Sequence, residues 1–303
     1  MTSLDFRRTI KAFASNQLAR IAPRAYVKLT KQTGRGDPDS ETPNDIASYF
    51  ENCLDDYFSI LEISAEQQED FLRDKVILEY GPGDIPGVAL LMVAKGARKV
   101  YCIDRFPLVK TDEKSLGVIN RLASRLPENQ KQRFRGCFAD PGSPSSGFSS
   151  EHIEYLVRPD GLSGIVGQID LVISRAVLEH VNDLDATFID MSKAMRPGAL
   201  SLHQVDLKSH GLHRANPLDF LEYPSWLWSL MYSHKGVPNR WRVDRYRHLL
   251  ATQPLDLLVL RPTALFNQKD VESISGRLAK PFQGISASDL GWQGFWMFCR
   301  KRA

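Results

Sequence analysis

Cysteine is scarce, and what there is has no framework spacing. Cys53, Cys102, Cys137 and Cys299 lie far apart, with no Cys-x-x-Cys pair. A disulfide-stapled scaffold is therefore excluded, and reduced thiols in a cytoplasmic protein are expected. Long apolar runs are also missing. The longest, Val88 to Ala94, is far short of the ~20 residues that a membrane-spanning helix needs. No stretch has the charged start and apolar centre of a secretory signal. Charge of one sign does not dominate either, since 39 Lys and Arg face 36 Asp and Glu for a net +3. The balance is uneven, however. Residues 1–35 hold eight basic residues (Arg7, Arg8, Lys11, Arg20, Arg24, Lys28, Lys31, Arg35) and one acid, Asp5, so this stretch carries +7 and the other 268 residues carry −4. A nucleic-acid enzyme would spread positive charge over a broad face, so no nucleic-acid partner is expected. What remains is a globular composition, 43% hydrophobic and 25% charged over 303 residues. That suits one large domain with additions.

Periodicity divides the chain near residue 72. Before it, residues 3–22 read as a helix with Phe6, Ile10, Leu18 and Ile21 at helical spacing, ended or kinked by Pro23. Residues 33–44 form a polar Gly/Pro-rich loop. Asn44 is placed to cap a second helix reaching about Ile63, and Ser64 a short third one through Leu72. After it, apolar strands alternate with helices: KVILEY (75–80), KVYCID (99–104), RFRGCF (133–138), HIEYLV (152–157), QIDLVIS (168–174), LSLHQVD (200–206), LDLLVLR (255–261) and GFWMFCRK (294–301). Residues 139–150 look like a flexible insertion. This alternation predicts an α/β fold with a doubly wound, mostly parallel sheet.

The strongest local signal is Glu79-Tyr-Gly81-Pro-Gly83-Asp-Ile-Pro-Gly87, between a strand and a helix. Glycines there let the chain turn sharply and let a ligand approach the backbone. Asp104 ends the next strand, where a carboxylate can accept hydrogen bonds from both hydroxyls of a ribose. The spacing is Gly-x-Gly-x-x-x-Gly rather than the dinucleotide fingerprint, and Glu79 suits a cationic ligand better than a pyrophosphate.

With IDLVISRAVLEHV (169–181) and MSKAMRPGALSLHQVD (191–206), this stretch resembles the class I S-adenosylmethionine-dependent methyltransferases over roughly 75–206. Ala199 departs from the second glycine common after ArgProGly. The resemblance implies a Rossmann-like seven-stranded sheet and S-adenosyl-L-methionine as cofactor. It places Gly81 and Gly83 against the cofactor's amino acid part, Glu79 near its ammonium, Asp104 on the ribose, and Arg105 and Phe106 beside the adenine. An acid after the third strand would meet the adenine amino group. Asp140 and Asp160 compete for that role, and spacing favours Asp160. Ser174 and Arg175 would lie beside the methionine part. The expected organisation is a helical extension or lid over 1–72 and a methyltransferase domain over 73–303. The latter has an insertion near 107–150 and a substrate-side segment over 207–250.

Acceptor chemistry is sought among polar residues past the strand ends. Glu179-His180 follow one strand, and His203, Asp206 and His210 lie at and beyond the next. Methyl transfer to a hydroxyl requires a positioned base, and histidine has a suitable pKa. His210, with His180 and Asp206, is the candidate catalytic set. His203, Asn239, Arg240 and Arg242 are candidate acceptor contacts, since arginines clamp anions and tryptophans stack on sugars. No metal is expected, because His210-x-x-His213 is only a pair. The reading is O-methylation of a small molecule or saccharide by a bacterial, cytoplasmic enzyme. N-methylation and non-catalytic cofactor binding are the alternatives. A nicotinamide oxidoreductase is disfavoured by the glycine spacing and the missing Tyr-x-x-x-Lys. Residues 1–31 are a candidate peripheral membrane contact, and a homodimer is the other assembly the sequence allows.

Overall fold

The computed structural model describes residues 3–30 and 41–303. In chain order its elements are α1 (Ser3–Ile21), α2 (Pro23–Thr30), α3 (Pro43–Leu61), α4 (Gln68–Leu72), β1 (Val76–Tyr80), α5 (Gly87–Ala94), β2 (Lys99–Asp104), α6 (Glu113–Arg125), α7 (Glu128–Gly136), β3 (Phe138–Asp140), β4 (Ser143–Phe148), β5 (Ile153–Val157), β6 (Ile169–Arg175), α8 (Leu184–Ala194), β7 (Met195–Asp206), α9 (Ser225–Tyr232), α10 (Val243–Thr252), β8 (Leu255–Leu265), α11 (Gln268–Ile274), α12 (Ala287–Leu290) and β9 (Trp292–Lys301). Seven strands form one sheet in the order β5-β2-β1-β6-β7-β9-β8. β1 runs parallel to β2 and β6, β2 runs parallel to β5, and β8 and β9 are antiparallel. This is the doubly wound, mostly parallel sheet expected from the sequence. Its order reverses between β1 and β6, the point where such sheets open a crevice for ligands.

The chain divides into two compact units. The first comprises residues 41–174 with 193–202, and the second residues 3–30, 175–192 and 203–302.

In the first unit, every residue of β1 is buried, as expected of a strand covered on both faces. Asp170 fixes where β1 begins. Its carboxylate accepts the Val76 N–H at 2.8 Å and pairs with Arg196. α5 is apolar and buried all round. The cap of α3 is Thr42 rather than Asn44. The Thr42 hydroxyl accepts from the Asp45 amide at 3.2 Å, and the Asp45 carboxylate accepts from the Thr42 amide at 2.9 Å. Pro43 in the first turn suits this reciprocal cap. The expected loop at 33–44 lies, up to residue 40, outside the described residues.

α3 packs on α5 and α6, and Phe50 explains the third glycine of the loop. A Cβ on Gly87 would stand 2.3 Å from the Phe50 ring. Gly87 therefore serves helix packing rather than ligand approach. Gly87→Ala is expected to displace Phe50 and to lower stability by roughly 1–3 kcal/mol, the usual scale of overpacking. Thermal melting checks this, and Phe50→Ala in the same chain should recover part of the loss. Additive losses would show that the two positions do not meet.

Two expectations fail here. RFRGCF is not a strand: α7 runs to Gly136, and β3 begins only at Phe138. Gln130 and Phe134, one helical turn apart, are both buried. Arg133 donates to Ala94 O at 2.7 Å and bonds Glu69 at 3.0 Å. Residues 139–150 are not irregular but form most of an antiparallel β3–β4 hairpin.

In the second unit, α1 docks on α9 through the buried Asn16. Its amide donates to Leu230 O at 3.0 Å and accepts from the His234 N–H at 2.8 Å. Lys235 Nζ donates to Ala12 O and Ser15 Oγ. Pro23 opens α2. Leu218, Phe220, Leu221, Met231, Ile274 and Phe282 build the core of this region. Among the described residues, no helix is long and apolar enough to cross a membrane.

Candidate functional site

The candidate residues fall into two groups, one in each unit. The first surrounds the tips of β1 and β2. Gly81 and Gly83 have φ of 65° and 76°, a region closed to most side chains. The Gly81 N–H donates to Ile103 O at 2.7 Å, tying the loop to β2. Glu79 lies between Cys102 and Ile173 on the flanking strands, and the Cys102 thiol donates to it at 3.8 Å. Burial pushes the Glu79 carboxyl up to about 8. The thiol and the Ala89 amide partly offset that rise, and Asp104 adds repulsion. Burial also lifts Asp104, to about 6, against amides including that of Phe106 at 3.1 Å. Carboxyls held up by burial gain their charge when a cation or a strong donor arrives.

The Tyr155 hydroxyl donates to Phe106 O at 3.1 Å and accepts the Leu108 N–H at 3.2 Å. It thereby pins the turn after Asp104, a role the sequence did not reveal. The Arg158 N–H donates to Asp104 O at 2.8 Å, so the turn carrying Asp160 follows the strand beside β2. Asp160 is exposed and accepts the Leu162 N–H at 3.0 Å. Asp140 belongs instead to the separate hairpin. The Arg105 guanidinium lies 5.7 Å from the Phe106 ring centroid. Ser174, opposite Tyr80 at the end of β6, is wholly enclosed.

The second group follows β6 and β7. Arg175 lies over Trp296 at 5.8 Å. The segment 178–181 has no helix of its own and is held by Asn239. The Asn239 amide donates to Leu178 O at 2.8 Å and Val181 O at 3.1 Å, and its main-chain N–H donates to Glu179 O at 2.6 Å. Both Glu179 carboxylate oxygens are buried and accept no well-formed hydrogen bond. Burial holds its pKa well above the ordinary range, with repulsion from Asp206 added and the main-chain amides of Glu179 and Asp206, with Lys208, opposing. His180 Nε2 is 3.8 Å from Glu179 Oε1, and the His180 and His210 ring centroids are 4.9 Å apart. Burial lowers His180 to about 4, helped by His210 and opposed by Asp206. It lowers His210 as well, again against Asp206. His210 is exposed and sits at φ 49°. One donor atom each from Glu179, His180 and His210 lies within 4.8 Å of the others, a grouping the sequence did not disclose. His213 turns instead to Ser209, 2.5 Å away.

The expected acceptor contacts have inward partners. His203 is enclosed within β7, its Nε2 3.1 Å from Met191 Sδ. Arg240 is stacked between Trp228 and Phe282 at 4.6 and 4.9 Å and donates to Phe220 O and Tyr223 O. Arg242 is 1% exposed and donates to the carbonyls of Leu207, Leu290 and Trp292. These three side chains bind the unit's own backbone and side chains, and burial leaves them almost no surface to offer an acceptor. Arg242→Ala, which orphans buried carbonyls, is expected to cost about 3–5 kcal/mol. Chemical denaturation checks this, and a loss below about 1 kcal/mol would show that those bonds do little.

A family model described as "Methyltransferase domain" matches residues 57–258. No curated protein matches the chain. Among solved structures, an S-adenosylmethionine dependent methyltransferase from Mesorhizobium loti is 15% identical, covers 76% of this chain and 92% of its own, and has a TM-score of 0.41. A SAM-dependent methyltransferase from Methanosarcina mazei is 15% identical, covers 76% and 93%, and has a TM-score of 0.43. A geranyl diphosphate methyltransferase in complex with SAM is 14% identical over 78% and 84%, with a TM-score of 0.41. At this level of likeness none of these proteins assigns a substrate to the chain.

Proposed function

The chain belongs to the methyltransferase-domain family, matched over residues 57–258, and as an S-adenosylmethionine-dependent methyltransferase we propose that it methylates a hydroxyl of a small molecule or saccharide. The observation that carries this reading is the second group: an exposed imidazole, His210, beside a second imidazole and the Asp206 carboxylate. Desolvation by the surrounding protein favours the neutral form of each ring, more strongly at the enclosed His180 than at His210, and the neutral form accepts a proton. His210, being exposed, takes the acceptor's proton, while His180 and Asp206 orient it. An amine acceptor has less need of such a base once its own proton is lost.

The first group fits the cofactor by its donor set, since Glu79 and Asp104 are buried acids whose charge a cation and ribose hydroxyls would stabilise. The cofactor, when bound, supplies a methyl group on a sulfonium. Glu79 holds its ammonium, Asp104 the ribose, and the main chain at Gly81 and Gly83 its amino acid part. Arg105 and Phe106 flank the adenine, and Asp160, on the turn after β5, meets the adenine amino group. Ser174 and Arg175 contribute the end of β6 beside the methionine part. Asp104→Ala should weaken binding by roughly 1–3 kcal/mol, read by calorimetric titration. Unchanged affinity would remove Asp104 from the site. The reaction class is tested by offering hydroxyl and amine acceptors with radiolabelled cofactor; label appearing only in amines would overturn the hydroxyl reading.

The N-terminal helices are proposed as a peripheral contact with an anionic membrane. Ile10, Phe13, Ile21 and Leu29 are exposed there, among the exposed Lys11, Arg20, Arg24 and Lys28. Apolar contact plus basic charge is what such surfaces use. Reversing these four charges should abolish co-sedimentation with phosphatidylserine vesicles and leave turnover of a soluble acceptor unchanged. Vesicle binding that survives the reversal would sink the idea.

A further inference from the structure

We infer that Glu179, His180 and His210 form a binding site for one first-row divalent transition-metal ion, such as Zn2+, Mn2+ or Fe2+. Three observations carry it. The first is the donor set, one carboxylate and two imidazoles with their ligating atoms within 4.8 Å of one another. Two nitrogens of this kind suit Zn2+ and its neighbours and do not suit Mg2+ or Ca2+, which prefer oxygen. Metal–ligand bonds of about 2.0–2.2 Å would require the donors to close by roughly 1 Å. The exposed His210 ring is placed to make that move. The second observation is Glu179 itself. A buried carboxylate is almost always hydrogen-bonded, yet neither oxygen of Glu179 has a well-formed bond, the main-chain amides of Glu179 and Asp206 only partly oppose the effect of its burial, and one oxygen stands 3.8 Å from the His180 Nε2. A cation in this space completes the bonding of that carboxylate. The third is rigidity. Asn239 fixes the main chain on both sides of Glu179 and His180 through three hydrogen bonds, so two of the three ligands are held in place before any ion arrives.

Three protein ligands leave a coordination position open, the arrangement of sites that bind a substrate oxygen. The inference rests on the hydroxyl reading only for its consequence. With the ion present, both imidazoles are ligands. The ion would then supply Lewis acidity to a hydroxyl in the open position, and Asp206, which interacts electrostatically with both rings, would be the group placed to take its proton instead of His210. Lys208, 3.2 Å from Asp206 and more than half exposed, is the basic residue bordering this group.

The test uses the full chain, stripped with a chelator, with no cofactor or acceptor present. Zn2+ is titrated in by calorimetry, and Co2+ is added separately to read its visible absorption. One equivalent of Zn2+ per chain is expected, with Co2+ bands of a low-coordinate nitrogen–oxygen site. Loss of a supporting residue outside the ligand set typically lowers metal affinity 10–100-fold. Loss of a ligand, in His210→Ala or His180→Ala, should therefore lower it by roughly 100-fold or more. His152→Ala, which removes an imidazole whose described hydrogen bond is to Arg98 O, should leave it unchanged. His210 is exposed, so its variant should keep the wild-type melting temperature and decides the matter even if Glu179→Gln fails to fold. Zn2+ affinity equal in wild type and His210→Ala, or no stoichiometric binding to wild type, would overturn the site. Either result leaves the hydroxyl reading standing with His210 as base, whereas label found only in amines leaves the ion site standing.

Discussion

His210→Ala is expected to lower turnover of a hydroxyl acceptor by ~10²–10⁴-fold, the range for losing a positioned acid–base group, while affinity for S-adenosylmethionine stays put. The split follows from geometry. His210 lies in the group beyond β7 with His180 and Asp206, whereas the proposed cofactor contacts are Glu79, Asp104 and the glycine loop. The backbone at His210 is also held at a φ of 49° by the chain around it. A left-handed non-glycine residue is a local strain that surrounding structure must maintain, and alanine at this position keeps the backbone form while removing only the imidazole. The fall should appear in kcat, with KM for the acceptor changing less, because proton removal matters in the transition state more than in the bound ground state. Single-turnover measurements with saturating labelled cofactor check this. Near-normal turnover would remove His210 from the mechanism and turn attention to His180.

Glu79→Gln has the second large expected effect. In the wild type, the Glu79 carboxyl titrates at about 8 against an ordinary 4.5, chiefly through burial. At pH 7 the site without cofactor therefore holds this group protonated, and an arriving ammonium expels the proton. Cofactor affinity should rise by about tenfold per pH unit between roughly pH 6 and 8 and flatten above. Asp104, at about 6, steepens the lower end. Calorimetry in buffers of different ionisation heats should register the proton release. Glutamine cannot ionise, so the variant should lose that release and bind at least ~100-fold more weakly, the scale of leaving a buried charge unpaired. The sign for stability is opposite. A carboxyl whose folded pKa is raised favours the folded state at low pH, and that contribution is lost as pH climbs from about 4.5 through 8. Without cofactor, Glu79→Gln should thus be the more stable protein at pH 9 and match the wild type near pH 4. Affinity flat across pH 6–8.5 would show that Glu79 is not the ammonium's partner.

The legible parts of this chain were those whose meaning is local. VILEY, the glycine loop and KVYCID declare a strand, a turn and a strand within thirty residues, and Asp104 lands where that order places it. RFRGCF misled because alternating arginines and aromatics look the same on a strand as on a helix. The decision falls to Arg133 reaching Ala94 and Glu69, 39 and 64 residues away. Arg240 and Arg242 are ambiguous in the sequence for a related reason. An arginine that clamps an anion and one that ties together distant carbonyls have the same sequence appearance, and the carbonyls of Leu207 and Leu290 lie 35 and 48 residues from Arg242. The grouping of Glu179 and His180 with His210 was hidden because it needs two loops from different strands to meet.

The Asn239 clamp bears on how the enzyme comes into being. Its amide bonds to Leu178 O, 61 residues earlier in the chain. During synthesis the segment bearing Glu179 and His180 leaves the ribosome well before the residue that fixes it. Translation at ~5–20 residues per second separates the two by several seconds. Throughout that interval the nascent chain carries a carboxyl and an imidazole without their final geometry, and no amount of folding upstream can supply it. The ordering of this segment therefore comes late in translation, and a chain stopped before position 239 would keep its glycine loop yet lack the bonds that hold Glu179 and His180.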